Sequence, residues 1–312
     1  MRSENYSWVM LGLAWLIIFT SWSFIFSTPT IINDIIHDLR LTHGEAGLIL
    51  SAPVSMFVVF SILGGVLADR FGVKKAIGIA TIFMGLFGFL RPFAPDFPSL
   101  FGFSVLLSAG IALAVPSVPK LVATWFPAER IGTATGVYLS GNGIGGWVAM
   151  GLTVSIILPL AGDWRSVLLV YGILGLVVSA CWWGLARPAP PSRLRRETVP
   201  IKDALSSVIR NGDLWVVAGI LFCINAIGFG ILEWLPFVLE QRGIETATAA
   251  LATSVFFLMF PMALVFPALS DRVKLRKPFI WIPGLIFIPA TYLLMTAADL
   301  FTVLVLMAVC GV

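Results

Sequence analysis

Apolar residues run along this chain in blocks far longer than a soluble helix needs, separated by short polar stretches. A helix needs about 20 mostly apolar residues to cross the roughly 30 Å hydrocarbon core of a bilayer. Such blocks fall near 8–32, 44–67, 76–93, 98–121, 132–160, 166–186, 214–239, 247–269 and 278–297, and another begins at Leu300 and is still apolar at Val312. The pattern predicts nine full membrane spans and part of a tenth, with a truncated second half. Barrel strands would be about 10 residues long with alternating polarity, and these blocks are neither. Helices are the other way to satisfy every backbone group in lipid. The first block is long for a signal peptide, and 21–30 carries no A-x-A-like site, so it is expected to remain as helix 1.

Composition sharpens this. Of 312 residues, 59% are hydrophobic and 12% charged, with a mean hydropathy of +0.99. A soluble domain carries about a quarter charged residues, so a water-soluble enzyme is excluded, as is a disordered chain. Cys181, Cys223 and Cys310 lie far apart inside apolar blocks and read as small packed hydrophobes rather than a disulfide framework. The net charge of +4 is set by topology: 16 of the 20 Lys and Arg fall on the N-terminal side or in every second connection, and only Arg40, Arg91, Arg165 and Arg242 fall opposite. That split predicts a cytoplasmic N-terminus in a plasma (inner) membrane, with anionic headgroups rather than nucleic acid as the partner of the charge.

The longest polar connection, 187–212, opens on Arg187-Pro188-Ala189-Pro190-Pro191 and continues through basic residues. It divides a six-helix unit (1–186) from an incomplete one (213–312). A repeat supports two halves: Ala68-Asp69-Arg70 is echoed 202 positions later by Ser270-Asp271-Arg272, and Lys74-Lys75 by Arg276-Lys277. Duplicated parallel halves are a recurring transporter architecture.

The stretch Gly65-Val66-Leu67-Ala68-Asp69-Arg70-Phe71-Gly72-Val73-Lys74-Lys75 resembles the loop signature of the major facilitator superfamily, and lies between spans 2 and 3, as it does there. The resemblance implies an all-α, polytopic two-bundle fold working by alternating access. It implies a gating role for Gly65, Asp69, Arg70, Gly72 and Lys74, which latch the cytoplasmic side, with Asp271 and Arg272 as counterparts. Physically, Asp69 can bind a neighbouring helix N-terminus and Arg70 can pair with Glu129; the alternative is ordinary solvated charge. Val115-Pro116-Ser117-Val118-Pro119-Lys120 with Trp125-Phe126-Pro127, and Asn225 with Trp234-Leu235-Pro236, resemble the cyanate-porter and nitrate/nitrite-porter-like branches. Arginines that those branches carry inside spans are absent from 44–67 and 247–269, and the superfamily's usual span-4 arginine position falls on Leu106.

Within the apolar blocks, polar residues are few. Glu233 is the only acid well inside a block, and an ionisable group there usually faces a cavity. Two readings stay open for it: a proton-coupling or substrate group, and an interfacial residue. Asn225 lies eight positions earlier on the same broad helical face. Span 5 is glycine-rich, with small-xxx-small spacings at 132/136 and 141/145 that suit either static packing or a gating contact, and Asn142 is an amide that must find partners. Span 1 carries Trp8, Trp15 and Trp22 at seven-residue intervals; the stripe reads as packing or, at Trp22, as cavity lining. By the resemblance, helices 1, 4 and 7 line the cavity, placing Trp22, Ser108 or Ser117, and Asn225 at the substrate. His37 and His43 read as a solvated loop.

No catalytic, metal or nucleotide motif occurs. The chain thus reads as a secondary transporter, neither an enzyme nor a cofactor protein, moving a small polar or organic solute such as a small anion. It is expected to be monomeric, with protons as one option for the coupling ion. The alternative is a transport-inactive membrane sensor on the same fold.

Overall fold

A computed structural model describes residues 2–188, 211–260, 273, 278–297 and 299–311. Asp271, Arg272, the Arg276-Lys277 repeat and linker residues 189–210 lie outside the described residues. Among those described, every regular element is helical. In chain order these are α1 (Arg2–Thr30), α2 (Ile32–Leu39), α3 (His43–Phe71), α4 (Val73–Leu90), α5 (Phe97–Ala114), α6 (Val118–Trp125), α7 (Ala128–Trp147), α8 (Leu158–Ala161), α9 (Trp164–Leu185), α10 (Gly212–Gln241), α11 (Thr246–Leu258), α12 (Pro278–Thr296) and α13 (Leu300–Gly311). Seven described segments are long and apolar enough to cross a membrane, from Tyr6–Thr30 to Leu214–Gln241. Shorter apolar helices at Thr246–Leu258, Trp281–Thr296 and Leu300–Gly311 fall where the eighth, ninth and tenth blocks were expected.

Segment ends are set by caps. At the end of the bundle opposite the N-terminus, the Thr42 hydroxyl accepts from the Glu45 amide at 3.2 Å, while Glu45 accepts from the Thr42 amide at 2.8 Å. Asp96, Asp163 and Asp299 accept from the amides of Ser99, Ser166 and Thr302 at 3.0, 2.6 and 2.7 Å, starting α5, α9 and α13. The connection between the first two spans, expected as loop, instead contains α2, whose Ile32 and Ile35 are buried against the bundle.

Pro116 and Pro119 interrupt span 4. After α5, Val115–Ser117 tightens into a 3-10 turn before α6 resumes, and the Ser117 hydroxyl donates to the Leu113 carbonyl at 2.9 Å. Span 5 leaves α geometry at Val148–Ile157, where ten residues are π-helical before α8.

The first bundle is tied by indoles and hydroxyls donating to backbone carbonyls. Trp182 and Trp183 of α9 donate to the Lys74 and Gly78 carbonyls of α4 at 3.0 and 3.1 Å. Ser7 of α1 donates to the Trp125 carbonyl at 3.0 Å. The Tyr6 hydroxyl donates to the Leu185 carbonyl, with Arg187 stacked 3.9 Å from the Tyr6 ring centroid.

Hydrogen bonds from the Ser99 hydroxyl and amide, and from the Ser166 and Thr302 amides, hold the Asp96, Asp163 and Asp299 carboxyls below the usual range. A depressed folded value means their stabilising contribution is present above the unfolded value and is lost as pH falls through the folded one. Melting of the full-length protein in detergent should therefore drop as pH falls below about 4, the ordinary Asp value. Replacing all three by Asn, which caps without titrating, should flatten that drop; identical acid sensitivity in the triple variant would refute it.

Candidate functional site

Two bundles meet along α7, and glycine is what lets them. Gly141 and Gly145 lie against Trp15 and Phe19 of α1 so closely that a Cβ at 141 would sit 3.0 Å from the Trp15 carbonyl oxygen, and one at 145 would collide with that of Phe19. Ser23 of α1 donates to the Gly145 carbonyl at 3.3 Å, and Trp15 Nε1 to Ser140 at 3.0 Å. Gly143 and Gly146, on another face, lie against Phe257 and Phe260 at the end of α11 in the second bundle. α7 is thus a slat between α1 and α11. The π-helical turn follows directly, with Gly151 against Ser254.

Asn142 sits among these glycines. It is half-buried, and its side-chain carbonyl oxygen is buried without a hydrogen bond among the described residues. Such a group is costly to leave dry.

Trp22 stands on the same side of α1. Its ring stacks on Phe26 at 5.4 Å and on Phe229 of α10 at 6.2 Å, and Phe26 meets Phe257 of α11 edge-on at 4.8 Å. Four aromatic rings from three helices therefore join the bundles. Phe229 lies midway between Asn225 and Glu233, one helical turn from each, so the three share one face of α10. Asn225 is exposed, whereas Glu233 is 7% exposed and makes no hydrogen bond among the described residues. The structure brings Trp22 and Asn142 to the contact between bundles, while Glu233 is buried one turn from Phe229 on α10 and Asn225 lies one turn from Phe229 in the other direction.

Ser108 is elsewhere. It is buried inside the first bundle, beside Phe24, Thr28 and Arg91, on a separate small cavity. Arg91 is the residue that the sequence concealed: its position at the end of an apolar block reads as topology charge, yet its side chain is buried.

Towards the end opposite the N-terminus, the bundles touch again. Asn33 of α2 donates to the Glu240 carboxylate of α10, and the His43 ring packs edge-on to Phe237 at 5.7 Å. Partial desolvation there lifts the Asp34 carboxyl above the usual range, against the lowering pull of His37. Arg165 braces the same end, donating to the Pro92 and Ala94 carbonyls at 2.8 Å each and to Asp38 at 3.1 Å.

At the N-terminal end, the α3–α4 turn is closed by Gly72 with φ +86°, a conformation that side chains resist. Asp69 pairs with Lys120 at 2.9 Å rather than with a helix N-terminus, and Lys120 also donates to the Gly65 carbonyl at 3.2 Å. Arg70 lies 5.5 Å from the Phe71 ring centroid and has no acidic partner among the described residues, so its expected pairing with Glu129 is not formed. Lys74 is half-exposed, and its carbonyl holds Trp182. Among the described residues, no group of three or more His, Cys, Asp or Glu could hold a metal ion.

The sequence model of the Major Facilitator Superfamily matches residues 11–312. An uncharacterized transporter of Bacillus subtilis is 26% identical over 86% of this chain and 65% of its own. The hexuronate transporter of the same organism is 27% identical over 70% of this chain and 53% of its own. A probable sulfoacetate transporter of Cupriavidus necator is 26% identical over 70% and 54%. The chain thus spans between half and two-thirds of the length of these curated relatives. Among solved structures, a bacterial homologue of the human lysosomal transporter Spinster, in an inward-facing and occupied conformation, superposes with a TM-score of 0.77 at 19% identity, covering 98% of this chain and 71% of that one. The D-xylose-proton symporter superposes at 0.73 with 18% identity, covering 97% and 78%.

Asp69 and Lys120 are 63% and 41% exposed, and exposed pairs are worth about 0–1 kcal/mol. Asp69→Asn in the full-length protein should leave melting nearly unchanged while lowering solute flux about fivefold or more, as for a coupling contact. Equal losses of folded protein and flux would make the pair structural only.

Proposed function

The chain belongs to the major facilitator superfamily, and from that premise we propose that its protein is a secondary transporter of small organic anions working by alternating access. The observation that carries this is the face where the bundles meet: aromatic Trp22, Phe26, Phe229 and Phe257, the unbonded Asn142 amide oxygen, and buried Glu233. Aromatic walls with a few convergent polar groups suit a small solute. The named substrates of the similar transporters, hexuronate and sulfoacetate among them, bear acidic groups, which supports an organic anion.

Glu233 is the coupling residue in this reading. An ionised carboxylate on the path would repel an anionic solute, and a proton on Glu233 removes that repulsion, so proton and anion travel together. Contacts at 22–43 on the first bundle and at 229–240 on the second support a conformation closed at the end opposite the N-terminus. With the basic residues concentrated on the N-terminal side, that end faces outward across a plasma membrane, and the closed end is the external one. Asp69, Lys120 and Gly72, with Gly65, Arg70 and Lys74 around them, form the opposite gate. Asp271 and Arg272 are assigned its counterpart in the second half.

Proteoliposomes carrying the full-length protein should take up hexuronates or sulfoacetate faster when an inward proton gradient is imposed. Glu233→Gln should abolish the gradient's effect while retaining solute exchange at equal pH on both sides. Gradient-driven uptake unchanged in Glu233→Gln would remove the residue from coupling. Absence of flux for every organic anion, in a protein that still binds one, would turn the reading to a membrane sensor.

A further inference from the structure

At the end opposite the N-terminus, the bundles meet through acids rather than through opposite charges. The Asn33 side-chain amide of α2 donates to the Glu240 carboxylate of α10, joining residues 207 positions apart. Asp34 follows Asn33 directly, and its charge and that of Glu240 act on each other across the contact. The Thr246 hydroxyl, at the start of α11, also bonds Glu240. Two carboxyls from opposite bundles are thus held near each other by neutral donors. Among the described residues, neither forms an ion pair.

The surrounding charges do not neutralise them. On α2, Asp38 is taken by Arg165 of α9 at 3.1 Å, and the pull of His37 on Asp34 is smaller than the effect of lost hydration. Arg40 closes α2 and makes no ion pair among the described residues. At the start of α3, His43 packs on Phe237 and Glu45 is bound to the Thr42 cap. Arg242, just past α10, turns to the Ala297 and Met295 carbonyls. Glu245, before α11, adds a further negative charge to this end.

Like charges that approach each other favour a shared proton. Asp34 is exposed and Glu240 half-buried, so the pair exchanges protons with the medium at that end without the bundles parting. Partial desolvation lifts the Asp34 carboxyl above its usual range. A carboxyl whose value is higher in the closed contact than in the open one takes up a proton on closing. Closure is therefore stabilised at low pH, and that contribution is lost as pH rises through the lifted value. The two carboxyls titrate as a pair, and the proton belongs to both.

We propose that Asp34 and Glu240 are a proton-operated latch between the bundles: a proton held by the pair keeps that end closed, and its loss lets like charges push the bundles apart. The latch rests on the alternating access proposed above, and is independent of Glu233 and of the solute. Its consequence is that the acidity of the medium at that end sets how readily the transporter opens towards it. Uptake driven through Glu233 therefore reaches a limit in acid, where the outer end stays shut.

The test follows distance rather than flux. The full-length protein, with its native cysteines replaced, carries nitroxide labels through Phe93→Cys on the first bundle and Leu251→Cys on the second, both exposed positions. Pulsed electron spin resonance in nanodiscs, without solute, gives the closed and open populations between about pH 5 and about pH 8, a window above ordinary carboxylate values. The expected result is a long-distance population that grows about fivefold or more as pH rises, as a coupling of ordinary size gives. Glu240→Gln, whose amide oxygen still accepts from Asn33, and Asp34→Asn should each hold the closed distance across the range. Should one variant fail to fold, the other decides. Distances unaffected by pH would overturn the latch, as would a response kept in full by both variants, which would place it on His37 or His43. A pH-insensitive contact in a protein that transports organic anions overturns the latch and leaves the transport reading intact. A pH response that both variants abolish, in a protein without flux, supports the latch and counts against transport.

Discussion

In hydrocarbon, a polar group has no solvent to fall back on, and that constraint organises this chain. Each backbone donor and acceptor must be satisfied within the protein, which forces helices and confines irregular backbone to their ends or to places covered by neighbours. The caps at Thr42, Asp96 and Asp163 stand at segment starts, where unpaired amides would otherwise remain. Where span 4 is broken by Pro116 and Pro119, a buried serine hydroxyl bonds the Leu113 carbonyl nearby. Trp182, Trp183 and Ser7 likewise bond carbonyls of other segments, so helix contacts are fixed by directional bonds as well as by packing.

Lipid tails are as apolar as leucine, so helices in a bilayer gain little from hydrophobic burial against one another and associate by close fit. α7 illustrates the consequence. Its glycines bring the backbone of α1 into contact on one side and the Phe257 and Phe260 side chains against it on another. Such a surface admits the α1 backbone on one side and aromatic rings on the other, and span 5 leaves α geometry directly after it.

The span positions follow from hydropathy alone because length in apolar residues is a one-dimensional property. The glycine pairs at 141 and 145 and the stripe of Trp8, Trp15 and Trp22 could likewise be read from spacing, though only the structure separates Trp15, packed on α7, from Trp22, stacked across to α10. Partner choice was hidden. Asp69 meets Lys120, 51 residues away, a pairing that depends on where span 4 comes to lie against span 2. Arg91 was hidden for a different reason: a block's last residue can turn out to headgroups or in to the bundle, and that direction is set by the Pro92 turn and by Arg165, 74 positions further on. The small helix α2 escaped notice because it is too short for a span and sits between two long apolar blocks.

The two buried charges differ in what surrounds them, and so in what they can do. Glu233 is buried on α10 one helical turn from Phe229, whose ring stacks on Trp22 of the other bundle. Arg91 lies wholly inside one bundle, tied to Thr28 of α1, with its turn clamped by α9. Its neighbours all belong to that bundle, so a rotation of one bundle against the other would not part them. The same cost of burying charge in lipid thus falls, for Glu233, on the helix that meets the first bundle and, for Arg91, inside that bundle.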